Sequence, residues 1–317
     1  MKHVTAINVV TVLKMSKSKL PIIVFITGAS AVGKTSCSIK FAKALKTQIV
    51  SCDSRQFYKE MSIGTAVPSD DDQQSIKHHF IQHISIKQTY NPGDYAKDAL
   101  DTIKQLHRTN KIIILVGGPS LYADALLFGL HKFPKISSET KNKIQKLYNE
   151  KGLAFLQNEL AVKDSKYYSI VDKQNPRRLI RALEIIEESE KPYSYYIERD
   201  KPLRPFRQIV VKLELTRADL YSKIESRIDQ MMNDGFLREV ESLYPYRKLP
   251  TLNTIGYNEL FDFIDKKLTL DKAISEIKKN TRRFAKRQIN YLKRYDESVC
   301  LKPPFKIDQV LNHILKN

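Results

Sequence analysis

An apolar segment followed directly by a glycine-rich turn constrains the fold of this chain more than any other stretch. Residues 21–26 read Pro-Ile-Ile-Val-Phe-Ile and predict a buried strand, and Gly28–Thr35 reads Gly-Ala-Ser-Ala-Val-Gly-Lys-Thr. This matches the pattern G-x-x-x-x-G-K-[ST], whose backbone N–H groups, aided by the positive end of the following helix, hold phosphate oxygens. The sequence from Gly33 to Leu45 predicts that helix. Strand, turn and helix occur in the required order, so we predict a phosphate-binding loop.

Further apolar runs alternate with helical patterns as far as residue 130. The segments "TQIVSCD" and "KIIILVGG" predict two more strands, and the second is apolar throughout, as is typical of a strand buried on both faces of a parallel sheet. The segment "HFIQHISI" predicts another short strand, and "NPGDYAKDALDTIKQLHR" predicts a helix with Pro92 in its first turn. This alternation predicts a three-layer α/β fold.

The segment from residue 131 to 200 differs in composition from the rest. Lys, Glu, Tyr and Asn are frequent, no strand-like run occurs, and "QNPRRLIRALEIIEE" predicts a helix. Strand character returns in "RQIVVKLEL", and Thr216 with Asp219 predicts the start of the next helix. We therefore predict three regions: a P-loop NTPase-like core with a parallel sheet (21–130 and 201–317), an inserted all-helical domain (131–200) and a disordered or extended tail (1–20).

Charge and cysteine content narrow the class of protein. The 54 Lys and Arg residues outnumber the 35 Asp and Glu residues, and the net charge of +19 favours a polyanionic partner, nucleic acid before membrane. Three cysteines without a C-x-x-C pair indicate a reducing compartment. No apolar run approaches the roughly 20 residues of a membrane span, and the N-terminal residues lack a convincing cleavage site. We expect a cytoplasmic protein without a membrane partner, with Met15 as an alternative start to Met1.

The acid that a nucleotide hydrolase carries after a buried strand is missing from the expected position. The run "IIILV" ends in Gly117 and Gly118, whereas Asp53 ends the strand of "SCDSRQFYKEMSIGT". Carboxyl ends of parallel strands meet beside the ligand, so Asp53 is a candidate site residue, although an Asp there could also cap a turn. Three polar residues follow it directly: Ser54, Arg55 and Gln56.

The last long helical pattern, about residues 270–295, is the most basic part of the chain. Its segment "KKNTRRFAKRQINYLKR" contains no acidic residue, and Phe284 and Gln288 fall on the stripe predicted to be packed. Charge runs are commonly only solvated helix faces, but uncompensated cations along one helix favour a surface for a phosphate backbone. The cations are Lys278, Lys279, Arg282, Arg283, Lys286, Arg287, Lys293 and Arg294.

Several segments, taken in order, resemble one known family. They are "GASAVGKT", "DSRQFYKEMSIGTAVPS", "KHHF", "GGPSLYADAL", "PRRLIRALEI", "TRADLYSKIESRIDQMMNDGF", "IGYNEL" and "TRRFAKRQINYLKR". Together they resemble the bacterial-type tRNA dimethylallyltransferases, also called tRNA isopentenyltransferases, over residues 21–297.

The resemblance implies a reaction and a use for the phosphate loop. In that family the loop holds the diphosphate of dimethylallyl diphosphate, and the dimethylallyl group passes to the exocyclic amine of the adenosine just 3′ of the tRNA anticodon. It implies that Asp53 is the general base, that the target base flips into the site, and that the Thr35 hydroxyl ligates Mg²⁺. The implied diphosphate-binding residues are Gly28, Ala29, Ser30, Ala31, Val32, Gly33, Lys34, Thr35 and Arg217.

The resemblance also implies where tRNA binds. Contacts with the anticodon stem-loop are expected beside Asp53, in the inserted domain and on the basic helix. The spacing i, i+4 places Arg177 and Arg181 on one helix face, a pattern that a merely solvated face shares. We expect a monomer. The expected tRNA-binding residues are Ser54, Arg55, Gln56, Pro119, Arg177, Arg178, Arg181, Arg282, Arg283 and Arg287.

One position departs from the family's pattern. The family has Gly-Gly-Thr or Gly-Gly-Ser before its Leu-Tyr, whereas this chain has Gly-Gly-Pro-Ser at 117–120, so a hydroxyl is missing at Pro119 and Ser120 is a candidate substitute. No zinc-finger pattern follows residue 297, and the histidines at 78, 79 and 83 lack the Cys or carboxylate partners of a zinc site.

Two other classes of function stay open. One is a P-loop kinase of a small metabolite, for which we find no nucleobase or acceptor determinants. The other is an RNA-binding paralogue with impaired catalysis, which Pro119 favours and the intact Lys34 and Asp53 disfavour.

Overall fold

Six parallel strands form one sheet in the part of the chain that the structure describes. The computed structural model describes residues 20–316, so the predicted N-terminal tail lies outside the described residues apart from Leu20. The strands are β1 (Ile22–Gly28), β2 (Ile49–Ser51), β3 (His78–His79), β4 (Ile112–Val116), β5 (Arg207–Leu213) and β6 (Ser298–Leu301), in the order β3-β2-β4-β1-β5-β6. Parallel pairing places the carboxyl ends of all six at the same edge.

The first strand lies at the centre of the sheet. Ile22 is opposite Ile112 of β4 on one side and opposite Arg207 of β5 on the other, and every residue of β1 is buried. An uninterrupted apolar sequence is what a strand covered on both faces requires. The sequence therefore predicted correctly that this segment is a buried strand.

Helices connect successive strands of the sheet, and one more helix follows the last strand. The helices before the strand β5 are α1 (Lys34–Leu45), α2 (Asp70–Ser75), α3 (Pro92–Leu106), α4 (Leu121–Phe128), α5 (Ser138–Lys163), α6 (Ser165–Ile170), α7 (Pro176–Ser189) and α8 (Tyr193–Ile197). Those after it are α9 (Arg217–Asn233), α10 (Phe236–Leu243), α11 (Tyr257–Ile264), α12 (Leu270–Leu292) and α13 (Ile307–Lys316). No helix of residues 20–316 combines the length and apolar character needed to cross a membrane.

Local capping explains where several helices begin. The Asn91 side chain accepts hydrogen bonds from the N–H groups of Gly93 and Asp94, and Pro92 occupies the first turn of α3 as predicted. The Thr216 hydroxyl accepts from the N–H of Asp219 at 3.2 Å, which confirms the predicted start of α9.

The predicted strand "HFIQHISI" is much shorter than expected. Only His78 and His79 pair with β2, because Phe80 (φ 65°) and Gln82 (φ 47°) adopt left-handed backbone conformations that cannot continue a strand. An isolated bridge between Tyr58 and Ile84 is all that follows.

The chain divides into two compact units, one of residues 20–127 and 204–316 and the other of Phe128–Leu203. The second unit is helical and contains the predicted insertion, residues 131–200. Its helices α5 and α7 enclose a separate apolar core that includes Leu156, Leu160 and Leu179, each fully buried. Helix α5 is interrupted at Gly152, whose φ of 73° is not helical.

Candidate functional site

Loops that follow three neighbouring strands border one small cavity of the larger unit. They are the phosphate loop after β1, the segment after β2 that begins at Cys52, and the Gly117–Ser120 segment after β4. Open parallel sheets bind ligands at this edge. The cavity is lined by Lys34, Thr35, Ser38, Asp53, Gln56, Pro68, His78, Ile81, Val116 and Gly117. The structure therefore brings together Asp53, Lys34 and Thr35, the residues to which the family resemblance assigns the chemistry.

The phosphate loop presents open donors at the start of α1. Gly33 has φ 102° and precedes the helix without a side-chain cap, a conformation that favours glycine. Among the described residues, no acceptor binds the N–H groups of Ala31, Gly33, Lys34 and Thr35, whereas Val32 N donates to Ala29 O at 3.3 Å. These open donors and the helix N-terminus form a site for an anion.

Lys34 lies over its own loop. Its Nζ donates to the carbonyl oxygens of Gly28 (3.1 Å) and Ala29 (2.9 Å). Burial lowers the pKa of Lys34 from 10.5 to about 8, an effect that the Asp53 carboxylate opposes and the Arg227 guanidinium reinforces. An anion in the cavity would stabilise the charged amine that burial now disfavours.

One of the two carboxylate oxygens of Asp53 accepts a hydrogen bond and the other does not accept one from the described residues. Its Oδ1 accepts from the N–H of Arg55 at 3.1 Å, and Oδ2 accepts no hydrogen bond from the described residues. A Cβ at Gly117 would lie 2.4 Å from Cys52 Sγ and 3.1 Å from Asp53 N. The absence of an acid after β4 thus has a packing reason, since only glycine lets the two loops approach this closely.

Arg217 and Arg227 of helix α9 have different surroundings. Arg217 lies exposed in the first turn, where its Nε donates to Tyr221 Oη at 3.1 Å and its guanidinium lies 5.2 Å from that ring centre. Arg227 instead interacts electrostatically with both Lys34 and Asp53, and burial lowers its pKa while Asp53 opposes that shift. Arg227 is thus the arginine that interacts with Lys34, and the predicted contact of Arg217 with diphosphate stays a prediction.

The polar residues after Asp53 mostly support the next turn. Arg55 Nη1 donates to Thr251 O at 2.8 Å, and Gln56 Nε2 donates to the carbonyl oxygens of Thr65 (3.1 Å) and Ala66 (2.8 Å). These bonds give Arg55 and Gln56 positions within the protein, while their predicted contacts with tRNA, like that of Ser54, stay predictions.

A carboxylate that the sequence analysis missed holds that same turn. Glu239 of α10 accepts hydrogen bonds from the N–H groups of Ser62, Ile63 and Gly64 at 2.7–3.0 Å, and from Tyr257 Oη at 2.6 Å. The acid lies 175 or more residues from these amides, so no local pattern could reveal it.

Beside this turn lies a wider cleft of about 490 Å³. Ile63, Val67 and Met231 give it apolar walls, Arg227 lines it, and Pro68 is common to the cleft and the small cavity. The cleft therefore offers some apolar surface next to the small cavity.

The surroundings of two predicted site residues, Ser30 and Pro119, differ from those that the sequence indicated. Ser30 donates from both N and Oγ to Gln288 Oε1, at 2.8 and 3.0 Å, so its amide is engaged within the protein rather than open to a phosphate as predicted. Pro119 is buried, and the neighbouring Ser120 Oγ accepts from Ala123 N at 3.4 Å.

Half of the cations on the basic helix are paired with acids. Lys278 binds Asp229 and Arg282 binds Glu225, each at 2.6 Å, and both acids lie on α9. Lys279 and Arg294 also form ion pairs, so the prediction that all eight are uncompensated is wrong. Four exposed cations form no ion pair with the described residues: Arg283, Lys286, Arg287 and Lys293. Phe284, predicted to be packed, is 39% exposed among them.

The arginines of the second unit lie on the surface of α7. Arg177, Arg178 and Arg181 are all exposed, and Arg181 forms a long ion pair of 3.5 Å with Glu184. The cationic face predicted from the spacing is therefore present, and its partner stays a prediction.

Residues 20–316 contain no group of three His, Cys, Asp or Glu side chains that could hold a metal by itself. Thr35 and Asp53 do line one cavity. A hydroxyl and a carboxylate fit Mg²⁺, which commonly takes one or two protein ligands together with water and substrate phosphates.

Comparisons with known proteins agree on one family. Residues 56–295 match the family described as IPP transferase. The tRNA dimethylallyltransferase of Christiangramia forsetii is 48% identical over 272 residues, covering 86% of this chain and 90% of that protein. That of Flavobacterium psychrophilum is 45% identical over 304 residues, covering 93% and 99%.

Solved structures show the same fold. The tRNA isopentenylpyrophosphate transferase of Bacillus halodurans matches with a TM-score of 0.66 and 29% identity, covering 93% of this chain and 95% of that chain. A eukaryotic dimethylallyltransferase acting on tRNA matches with a TM-score of 0.78, covering 91% and 76%, and at 23% identity it supports the fold alone.

Proposed function

Because this chain belongs to the IPP transferase family, we propose that it transfers a dimethylallyl group from dimethylallyl diphosphate to tRNA. The acceptor is the exocyclic amine of the adenosine just 3′ of the anticodon, and diphosphate is released. One observation carries this proposal: Lys34, Thr35 and Asp53 line a single cavity, so groups suited to a leaving diphosphate and to an amine proton lie together.

The phosphate loop and the first turn of α1 stabilise the diphosphate leaving group. As the allylic C–O bond breaks, its electron pair stays on the diphosphate, and donors already in place stabilise that growing charge. The open N–H groups of Ala31, Gly33, Lys34 and Thr35 suit this role, with the Lys34 and Arg227 cations beside them. The Thr35 hydroxyl would hold Mg²⁺, which would neutralise further phosphate charge.

Asp53 serves the amine end. As the new C–N bond forms, the exocyclic nitrogen gains positive charge and must lose a proton, which the spare Oδ2 accepts. Because Oδ1 is held by Arg55 N, the carboxylate keeps one orientation while Oδ2 works. The apolar side chains of Ile63, Val67 and Met231 in the wider cleft suit the five-carbon group.

The exposed cations suit an RNA partner. Arg283, Lys286, Arg287 and Lys293 line one helix, and Arg177, Arg178 and Arg181 lie on the surface of the second unit. Phosphate contacts of this kind give affinity that falls steeply with salt. We assign both surfaces to the anticodon stem-loop and propose that the target base leaves its stack to reach Asp53.

A direct assay tests the proposal. Purified protein is incubated with Mg²⁺, dimethylallyl diphosphate and unmodified tRNA, and the nucleosides are analysed by mass. We expect one adenosine next to the anticodon to gain C₅H₈ with release of diphosphate. Unchanged nucleosides with ATP turnover would establish a kinase instead, and tight tRNA binding with neither activity would establish an RNA-binding paralogue.

Matched arginine variants test which residue of α9 serves the diphosphate. We expect Arg227→Ala to raise the KM for dimethylallyl diphosphate by about 10-fold or more, since a charged hydrogen-bonding partner contributes roughly 1.5–3 kcal/mol. Arg217→Ala removes the same group from the exposed first turn and is expected to change KM less than about twofold. The opposite pattern would return the role to Arg217.

A further inference from the structure

Gln288 is a buried polar residue of α12. It is 8% exposed, whereas its neighbours Arg287 and Ile289 are exposed. Its Oε1 accepts two hydrogen bonds from Ser30, one from the backbone N–H at 2.8 Å and one from Oγ at 3.0 Å. A residue 258 positions away in sequence thus fixes the part of the phosphate loop that leads into the open donors.

The other end of the same carboxamide lies against the loop after β4. A Cβ built on Gly118 would lie 2.8 Å from Gln288 Nε2 and 3.9 Å from Gln288 Cδ, and apart from the adjacent residues of the chain no other described heavy atom lies within 4 Å. Gly118 therefore leaves room for this one side chain. Gln288 lies between the loops after β1 and β4, both of which border the cavity with Lys34 and Asp53.

The hydrogen bonds between Ser30 and Gln288 determine the direction of the free N–H groups of the phosphate loop. Ser30 directly precedes Ala31, the first open N–H of the loop, so holding Ser30 N fixes the peptide plane from which the donors start. The Ser30 N–H is partly buried, and losing its acceptor would cost up to about 1–3 kcal/mol, so the loop would shift to satisfy Ser30 if the acceptor were removed. The donors would then no longer converge on one anion.

We propose that Gln288 is a positioning residue that holds the phosphate loop in its diphosphate-binding conformation, and that Gly118 provides the space this role requires. The proposal rests on the proposed function for the identity of the ligand. The proposal concerns the conformation of the phosphate loop before a substrate binds. The binding of inorganic diphosphate therefore suffices to test it.

The test measures the binding of inorganic diphosphate by calorimetry. Gln288→Ala is expected to raise the Kd about tenfold, and Gln288→Met, which fills the space without an acceptor, should do the same. Ile289→Ala, an exposed neighbour on the same helix, is expected to leave the Kd unchanged. With dimethylallyl diphosphate, kcat/KM should fall at least as much as the diphosphate affinity, because the same donors stabilise the charge that grows on the leaving group.

Gly118→Ala separates positioning from general destabilisation. The added methyl group must displace the carboxamide, so this variant should raise the Kd about as much as Gln288→Ala. In the double variant the methyl group meets no carboxamide, so its Kd should equal that of Gln288→Ala alone rather than show the product of the two effects.

Each outcome decides the proposal. Wild-type Kd values for Gln288→Ala and Gln288→Met would overturn it, as would multiplicative effects in the double variant. Failure of the wild-type protein to bind diphosphate would overturn it together with the proposed function. Normal diphosphate binding with the expected variant pattern, but no prenyl transfer to tRNA, would uphold the positioning role and reject only the proposed function.

Discussion

Replacing Asp53 with Asn is expected to slow prenyl transfer by about 10²–10⁴-fold, the range that a positioned general base contributes. The amide has the same shape, and its oxygen can still accept the hydrogen bond that Arg55 N now donates to Oδ1 at 3.1 Å. The loop should therefore keep its conformation. Only the capacity of the second atom to take up a proton is lost, and single-turnover measurement of the rate on bound tRNA isolates that step.

The control for Asp53→Asn is the same change at an exposed position. Asp71, in the first turn of α2, is exposed, and Asp71→Asn should leave turnover unchanged. The affinity of Asp53→Asn for tRNA should stay within a few fold of wild type. Unchanged single-turnover rates in Asp53→Asn would show that another group, or solvent, removes the amine proton.

The parts of the site that were predictable from sequence are those built by adjacent residues. The strand Ile22–Gly28, the turn and the helix beginning at Lys34 follow one another directly, so a short pattern determines their geometry. Asp53 followed from a general rule, since residues after parallel strands meet at one edge of the sheet. These inferences needed no knowledge of how distant segments pack.

The choice between Arg217 and Arg227 depended on position along the helix rather than on helix phase, because each lies three residues from a buried apolar residue. The apolar face of α9 includes the buried Leu220 and Ile224, and Arg227 follows them by seven and three residues. It therefore lies on the buried stripe, where a cation requires a partner. Arg217 lies one turn before that stripe begins. A charged residue within an apolar stripe is the signal that favours Arg227.

Contacts between distant segments account for the rest. Gln288 has the spacing of a packed residue, and nothing near it in sequence indicates that its oxygen receives both donors of Ser30. The cations of α12 seemed uncompensated because Asp229 and Glu225, which pair with two of them, belong to another helix. Such pairs are set by helix packing, which local composition does not encode.

Replacing Lys34 with Met is expected to lower kcat for prenyl transfer by about 10²–10³-fold, as the loss of one preorganised donor to a developing negative charge does elsewhere. Met keeps most of the length of the side chain and removes only the cation. Gly28 and Ala29 lose the amine that their carbonyl oxygens now accept from. Lys40, an exposed lysine of the same helix, provides the matched control, and Lys40→Met should leave kcat unchanged.

The pH dependence of diphosphate affinity tests the same residue independently. Burial lowers the pKa of Lys34 to about 8 in the free protein, whereas a bound anion keeps the amine charged. Binding above pH 8 must therefore take up a proton, so wild-type affinity should weaken there by up to about tenfold per pH unit. Because diphosphate itself also titrates, the informative quantity is the ratio of the Kd of Lys34→Met to that of wild type.

That ratio should be constant below about pH 7 and fall as the pH rises through the pKa of Lys34, because the two proteins differ only in the charge that wild type then loses. Whereas the diphosphate affinity of the wild type falls as the pH rises, its free energy of unfolding should increase relative to that of Lys34→Met. Between pH 8 and 10.5 the unfolded chain holds a proton that the folded protein has released, so the wild-type free energy of unfolding gains with pH relative to Lys34→Met. A ratio that stays flat to pH 10 would mean that the amine remains charged without a ligand. Affinity and stability thus both report the protonation of the Lys34 amine.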